Sequence, residues 1–213
     1  MLQFNLEVQN SRLDQIAEVI PEFAEVKSNF GRPPLIKRPT GFRTLLKTIL
    51  EQQVSLASAD SVYKKLLRGN PELTPTTFLA WTDKELLSFG YSRQKRRYTR
   101  LLSEAILEEK FHFTELEELP DEPARAYLMQ LVGVGKWTAD VYLLMAEGRA
   151  DFFPAGDIAL QKSWQERKKL EHKPGTQEME DLANVFRPLR SAAAKWLWWS
   201  YLCKRDLPLS VDL

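Results

Sequence analysis

The chain has 213 residues, 44% hydrophobic and 28% charged, a composition with room for one large globular domain or two small ones. No apolar stretch approaches the roughly 20 residues of a membrane-spanning helix, and the opening MLQFNLEVQNSRLDQ has neither the basic nor the apolar region of a signal peptide. Thirty basic residues against 29 acidic ones argue mildly against a nucleic-acid binder, and the single cysteine, Cys203, excludes an internal disulfide, an all-cysteine zinc site and a cysteine-ligated iron–sulfur cluster.

In chain order, Leu2, Phe4, Leu6 and Val8 alternate with polar residues, a pattern for a short strand or two. Gly31 to Pro39 reads as a proline-rich linker between an N-terminal arm and a helical body. Phe42, Leu45, Leu46, Ile49 and Leu50 form the stripe of a buried helix face. Ser55 caps a second helix that ends at Gly69-Asn70-Pro71. A short helix starts at Thr82 or Asp83 and closes at Gly90; a longer one carries Tyr98, Leu101, Leu102, Ala105 and Ile106. Pro120 to Pro123 opens a helix through Leu131, and further helices are predicted over 136–147, 158–170, 178–187 and 188–203, the last with Pro188 in its first turn. The predicted fold class is all-α, or mainly α.

Charge is neutral in sum and uneven along the chain. Arg93, Lys95, Arg96, Arg97 and Arg100 run without an acid, and eight acids between Glu104 and Glu122 follow with only Lys110 among them. Either run is by default a solvated helix face, but the separation makes total charge a poor guide to local potential.

The most informative stretch is Leu131-Val132-Gly133-Val134-Gly135-Lys136-Trp137-Thr138-Ala139-Asp140. One helix ends, two glycines allow a sharp turn, and another helix begins. Its first amides, aided by the helix dipole, can meet a phosphate oxygen, so Gly133, Val134, Gly135, Lys136 and Thr138 are candidate DNA-backbone contacts. A tight turn between packed helices is the alternative. Downstream, Phe152-Phe153-Pro154 leads to Asp157 and a further helix.

The order of LxGVGxWTA, a helix, and FPxxD before another helix resembles the helix-hairpin-helix (HhH-GPD) DNA glycosylase superfamily. Within it the likeness is to the 3-methyladenine DNA glycosylase II branch. Ile49-Leu50-Glu51-Gln52-Gln53-Val54-Ser55 is similar to that branch's ILxQxVS segment, and Arg187-Pro188-Leu189-Arg190-Ser191 with Trp198 is similar to its RPxRS…LW segment. The likeness runs from about Arg38 to about Tyr201.

The resemblance implies that Asp157 is the catalytic carboxylate, stabilising positive charge on the sugar and orienting or deprotonating water. An aspartate there is also an ordinary helix N-cap, and both roles are compatible. Relatives resembling endonuclease III or 8-oxoguanine glycosylase carry a Schiff-base lysine at the position of Trp137; tryptophan has no amine, and Lys136 is turned about 100° away. This implies a monofunctional enzyme using water. Trp137 and Trp198 are expected in the base pocket, with Tyr142 and Phe153 as further contacts, although aromatics at helical spacing are more often core. Aromatic faces suit cationic N3- or N7-alkylated purines, attracting them by roughly 0.5–2 kcal/mol.

Gln53 matches the position that intercalates when the base is flipped out; the branch uses an apolar wedge there, so glutamine is a departure. The expectations are two helical subdomains flanking a cleft, with an arm (1–39) packing on C-terminal helices, a body (40–140) and a C-terminal part (141–213). No cofactor, metal or iron–sulfur cluster is expected, and His112 and His172 look like surface residues. The expected partner is double-stranded DNA containing damaged bases, with no membrane; the protein is expected to be a monomer, cytoplasmic in a prokaryote or nuclear in a eukaryote. Competing functions are a glycosylase for uracil, hypoxanthine or a mismatch, a lyase using Lys136, and a non-catalytic DNA-binding module.

Overall fold

The computed structural model describes residues 4–208. Among them are thirteen α-helices and one 3-10 turn, and no strand. The chain divides into two compact units, one formed by residues up to Lys37 together with those from Leu143 onward, the other by Arg38–Tyr142.

In the first unit, α1 (Leu6–Val19) replaces the expected strand. The Asn5 side chain caps it by accepting from the Val8 N–H at 3.0 Å. Its buried face is Gln9, Leu13, Ile16 and Ala17, a helical stripe, whereas Leu6 is exposed. The alternation at the N-terminus therefore did not track burial; Leu2 lies outside the described residues. Pro21 opens α2 (Pro21–Phe30), where its missing N–H costs nothing.

The central element of this unit is α13 (Arg190–Cys203), buried around most of its circumference, as a core helix should be. Trp196 donates its indole N–H to the Leu13 carbonyl at 3.0 Å, and Trp199 reaches the Phe30 and Gly31 carbonyls. These bonds tie α13 to α1 and to the end of α2. It also packs against α11 (Ile158–Lys168). Phe186 lies in the 3-10 turn after α12 (Thr176–Ala183), and its ring meets Phe23, Phe153 and Trp164 at centroid distances of 5.4, 6.0 and 5.8 Å. The expected helix over 178–187 is thus shorter, and Pro188 precedes α13 rather than lying in its first turn. The Arg187–Pro188 peptide bond is cis.

The second unit is built around α3 (Phe42–Glu51), whose apolar stripe is buried as the sequence predicts. It packs on α4 (Leu56–Gly69), capped by Ser55, and on α7 (Arg93–Leu107). Arg38 forms a buried two-point pair with Glu51 at 2.6 and 2.9 Å, closing the end of the proline-rich segment onto α3. Two six-residue helices, α5 (Pro75–Ala80) and α6 (Asp83–Ser88), start with threonine capping boxes and bring Phe78 against Phe42, Trp81 and Tyr91. Another short helix, α8 (Phe113–Glu118), leads to α9 (Asp121–Met129) and then α10 (Lys136–Met145), which continues past Tyr142 into the first unit.

Much of the basic run on α7 is spent inside this unit. Arg96 donates to the Tyr91 carbonyl, Arg100 to the Leu79 and Trp81 carbonyls and to Asp83, and Lys95 to the Leu50 carbonyl. Arg93 and Arg97 remain exposed.

Candidate nucleic-acid interface and active site

The segment between α9 and α10 is a tight hairpin. The Val134 N–H returns to the Leu131 carbonyl at 3.0 Å, and the Ala139 N–H to Gly135 opens the new helix. Gly133 has φ +90°, and a Cβ there would stand 2.2 Å from the ring of Tyr98. Glycine is therefore required twice over at this position, by the backbone and by the aromatic ring lying on it. At Gly135 a Cβ would meet open space, so its backbone is approachable from outside.

The five expected backbone contacts differ in how far their side chains are exposed. Val134 is buried and Thr138 is only 2% exposed, so neither presents a side chain outward, and Tyr98 covers the Gly133 Cα. Of the five expected residues, Gly135 and Lys136 are the exposed ones. Met129 and Val132 are exposed apolar residues on the same segment, which the sequence reading passed over.

Between α3 and α4 the chain makes a short turn carrying Gln53. This residue is exposed and has φ +56°, an uncommon conformation for a non-glycine residue. Val54 and Leu56 beside it are exposed as well, so the turn offers both a polar amide and apolar side chains. The preceding Gln52 donates its side-chain amide to the Gly133 carbonyl and the Thr138 hydroxyl, each at 2.9 Å. Lys95 donates to the Leu50 carbonyl at 2.7 Å, and burial lowers its pKa below the usual lysine value. The consecutive glutamines at a helix end were the available signal for Gln52, but only the tertiary partner reveals its role.

In the other unit, Asp157 caps α11. Its Oδ1 accepts from the Ala159 and Leu160 N–H groups at 2.9 and 3.1 Å, which fixes the plane of a half-buried carboxylate at a helix N-terminus. The loop that delivers it, residues 150–157, is fastened along its length. Ser191 donates its N–H to the Ala150 carbonyl, and its hydroxyl both accepts from the Phe152 N–H and donates to the Phe152 carbonyl. Arg190 grips the Asp151 carboxylate at 2.7 and 3.0 Å and the Asp151 carbonyl at 2.6 Å; Arg187 adds a bond at 2.9 Å. Gln161 donates to the Ala155 carbonyl at 3.0 Å and accepts from Lys173. The arginine–serine segment that opens α13 is thus a clamp on the loop carrying Asp157, a role the sequence did not disclose.

The expected pocket aromatics divide. Trp137 is half-buried on the first turn of α10, and Trp198 is 9% exposed on α13. Tyr142 is fully buried, with its hydroxyl accepting from the Gly41 N–H at 2.8 Å and its ring against Phe113. Phe153 packs on Phe186 and is 4% exposed. Both side chains pack within their own units. Among the described residues no cluster of His, Cys, Asp and Glu is arranged to hold a metal ion, and no helix is long and apolar enough to cross a membrane.

The glycine hairpin, the exposed Gln53 turn and the capped Asp157 all fall within one family match. Residues 46–188 match the family described as the HhH-GPD superfamily base excision DNA repair protein, and the chain belongs to that superfamily. Its relatives give the particulars. It is 30% identical over 162 residues, covering 74% of this chain and 76% of the other, to the alkylbase DNA glycosidase-like protein mag2 of Schizosaccharomyces pombe. It is 27% identical to the putative DNA-3-methyladenine glycosylase YfjP of Bacillus subtilis, over 78% of this chain and 61% of that one. The structure is similar, with a TM-score of 0.82, to the 3-methyladenine DNA glycosylase Mag1 of Schizosaccharomyces pombe in complex with abasic DNA; 95% of this chain and 99% of that chain are covered at 19% identity.

Proposed function

We propose that the protein is a monofunctional DNA glycosylase that flips out alkylated purines of the 3-methyladenine and 7-methylguanine type and hydrolyses their N-glycosidic bonds. The observation that carries this reading is Asp157, a half-buried carboxylate oriented by two backbone N–H groups on a loop that Arg190, Ser191 and Gln161 hold in place. As the bond from C1′ to the base nitrogen breaks, the base leaves with the electron pair and positive charge develops on the sugar. The fixed carboxylate stabilises that charge and accepts a proton from the water that bonds to C1′.

The hairpin holds the DNA backbone through the exposed Gly135 and Lys136, and Gln53 fills the space the base leaves. Trp137 and Trp198 supply aromatic faces for a cationic base, which leaves without needing an acid to protonate it. With tryptophan at position 137, no lysine amine attacks the sugar there. The reaction needs no cofactor. The names of the two similar curated proteins support the alkylated-base half of the reading.

The test is incubation with DNA methylated in vitro, followed by separation and mass identification of the released bases. Release of 3-methyladenine or 7-methylguanine is expected. Release of only uracil or hypoxanthine from suitable duplexes would overturn the substrate, and a borohydride-trapped protein–DNA adduct would overturn the hydrolytic route.

A further inference from the structure

The turn bearing Gln53 is tied to the hairpin by the residue before it. Gln52 ends α3 with φ −59° and ψ 124°, so the chain leaves the helix there. An amide NH2 has two hydrogens, and the acceptors within 2.9 Å of this one are the Gly133 carbonyl, inside the hairpin, and the Thr138 hydroxyl, in the first turn of α10. Thr138 is almost wholly buried, which shelters its bond from water. All three residues lie in the Arg38–Tyr142 unit. The next residue, Gln53, is exposed in a left-handed conformation that persists only where its surroundings hold it. Lys95 donates to the Leu50 carbonyl at the same helix end.

We propose that Gln52 is a positioning residue for base extrusion. It locks the Gln53 turn to the hairpin, so that the hairpin's grip on the DNA backbone sets where Gln53 enters the base stack. The inference rests on the glycosylase reading and deepens it by assigning the coupling between grip and extrusion to a side chain that touches neither the lesion nor the reacting atoms. The chemistry of the amide is specific: Gln52→Glu keeps the size but removes both donors and sets a carboxylate against a carbonyl oxygen, and Gln52→Ala removes the link altogether.

The experiment compares wild type, Gln52→Ala, Gln52→Glu, Gln53→Ala and the Gln52→Ala/Gln53→Ala double variant. Single-turnover release is measured from a methylated duplex and from the same lesion in a short mismatched bubble, where little stacking resists extrusion. Fluorescence of 2-aminopurine at the target position reports flipping without chemistry. Both Gln52 variants should stay folded with Tm lowered by some degrees, about 2–4 °C per kcal/mol lost, and bind undamaged duplex comparably, yet release the base from duplex about 10- to 100-fold more slowly, because small misplacements carry costs of that order. Release from the bubble should change far less, the 2-aminopurine signal should fall, and removing Gln52 from the Gln53→Ala background should add nothing.

Equal losses on duplex and bubble, multiplying losses in the double variant, or an unchanged 2-aminopurine signal would each overturn the assignment. Should the Gln52 variants fail to fold, Thr138→Val removes one acceptor at nearly constant volume and should give a smaller loss of the same kind; no such loss overturns the assignment. A wild type that releases no methylated base refutes the alkylated-purine reading, while the 2-aminopurine comparison still decides the role of Gln52.

Discussion

The hairpin-and-turn region of the Arg38–Tyr142 unit and the loop over 150–157 in the other unit hold the proposed functional residues by different means. The hairpin exposes backbone at Gly135, and its neighbouring turn exposes Gln53; neutral hydrogen bonds from Gln52 and the ring of Tyr98 support them. The loop instead leaves its aspartate half-buried and is clamped by charge-assisted bonds from Arg187 and Arg190 and by a buried serine. A surface that meets a long polyanion needs accessible amides more than fixed side chains. A carboxylate that must face one atom of a transition state needs a locked orientation.

The largest expected effect falls on the clamped side. Asp157→Asn should lower single-turnover base release by on the order of 100- to 1,000-fold, while melting changes little because asparagine caps a helix as well as aspartate. Unchanged release would dissolve the distinction between the regions, leaving Asp157 as a cap alone.

The glycines sharpen the contrast within the hairpin itself. Gly133→Ala drives a Cβ into the Tyr98 ring at φ +90° and should destabilise the protein by about 1–3 kcal/mol, read as a drop in Tm of roughly 2–4 °C per kcal/mol. Ser191→Ala removes the hydroxyl that bonds both the Phe152 N–H and the Phe152 carbonyl and should cost about 1–3 kcal/mol, with slower release at unchanged DNA affinity. Gly135→Ala meets open space, so its Tm should stay at the wild-type value while duplex affinity weakens by about 1 kcal/mol, roughly fivefold in Kd. A melting change at Gly135 as large as at Gly133 would show that both glycines are packing residues.

Lys195 is buried on α13, with its Nζ 3.1 Å from Gln9 Oε1 and 4.2 Å from the Phe4 ring centroid. Burial, and then repulsion by Arg12, push its pKa down to about 7. Between that value and the usual lysine range near 10.5 the unfolded chain holds more protons than the folded one, so folding gains as pH rises through this window. Lys195→Met removes the titration. The variant's Tm advantage over wild type should therefore be larger at pH 6.5 than at pH 9.5, and a pH-independent difference would show that Lys195 is charged throughout.

How much was legible follows the same physics. The α3 stripe, the Ser55 cap and the hairpin could be read because local spacing and glycine fix them. The first helix was hidden because polar Gln9 occupies a buried position, bonded to Pro34 and Ile36, and breaks the apolar pattern. The six-residue α5 and α8 are too short to show a period. At the site, Asp157 and Trp137 stood out by motif order. Whether Arg96 and Arg100 face DNA or bind their own carbonyls depends on partners some 5 to 21 residues away in the chain, which no local pattern encodes. The same holds for Arg190 and Ser191, whose partners lie 39 residues upstream.

Single-turnover incubation of wild type with a duplex carrying one 3-methyladenine is the decisive test of hydrolysis through Asp157, with the released base and the strand products followed together. Free 3-methyladenine and an intact abasic strand are expected, with no borohydride-trapped adduct, and base release is expected to be lost or strongly slowed in Asp157→Asn. Strand cleavage through a trapped lysine adduct, or release that Asp157→Asn leaves untouched, would contradict that route.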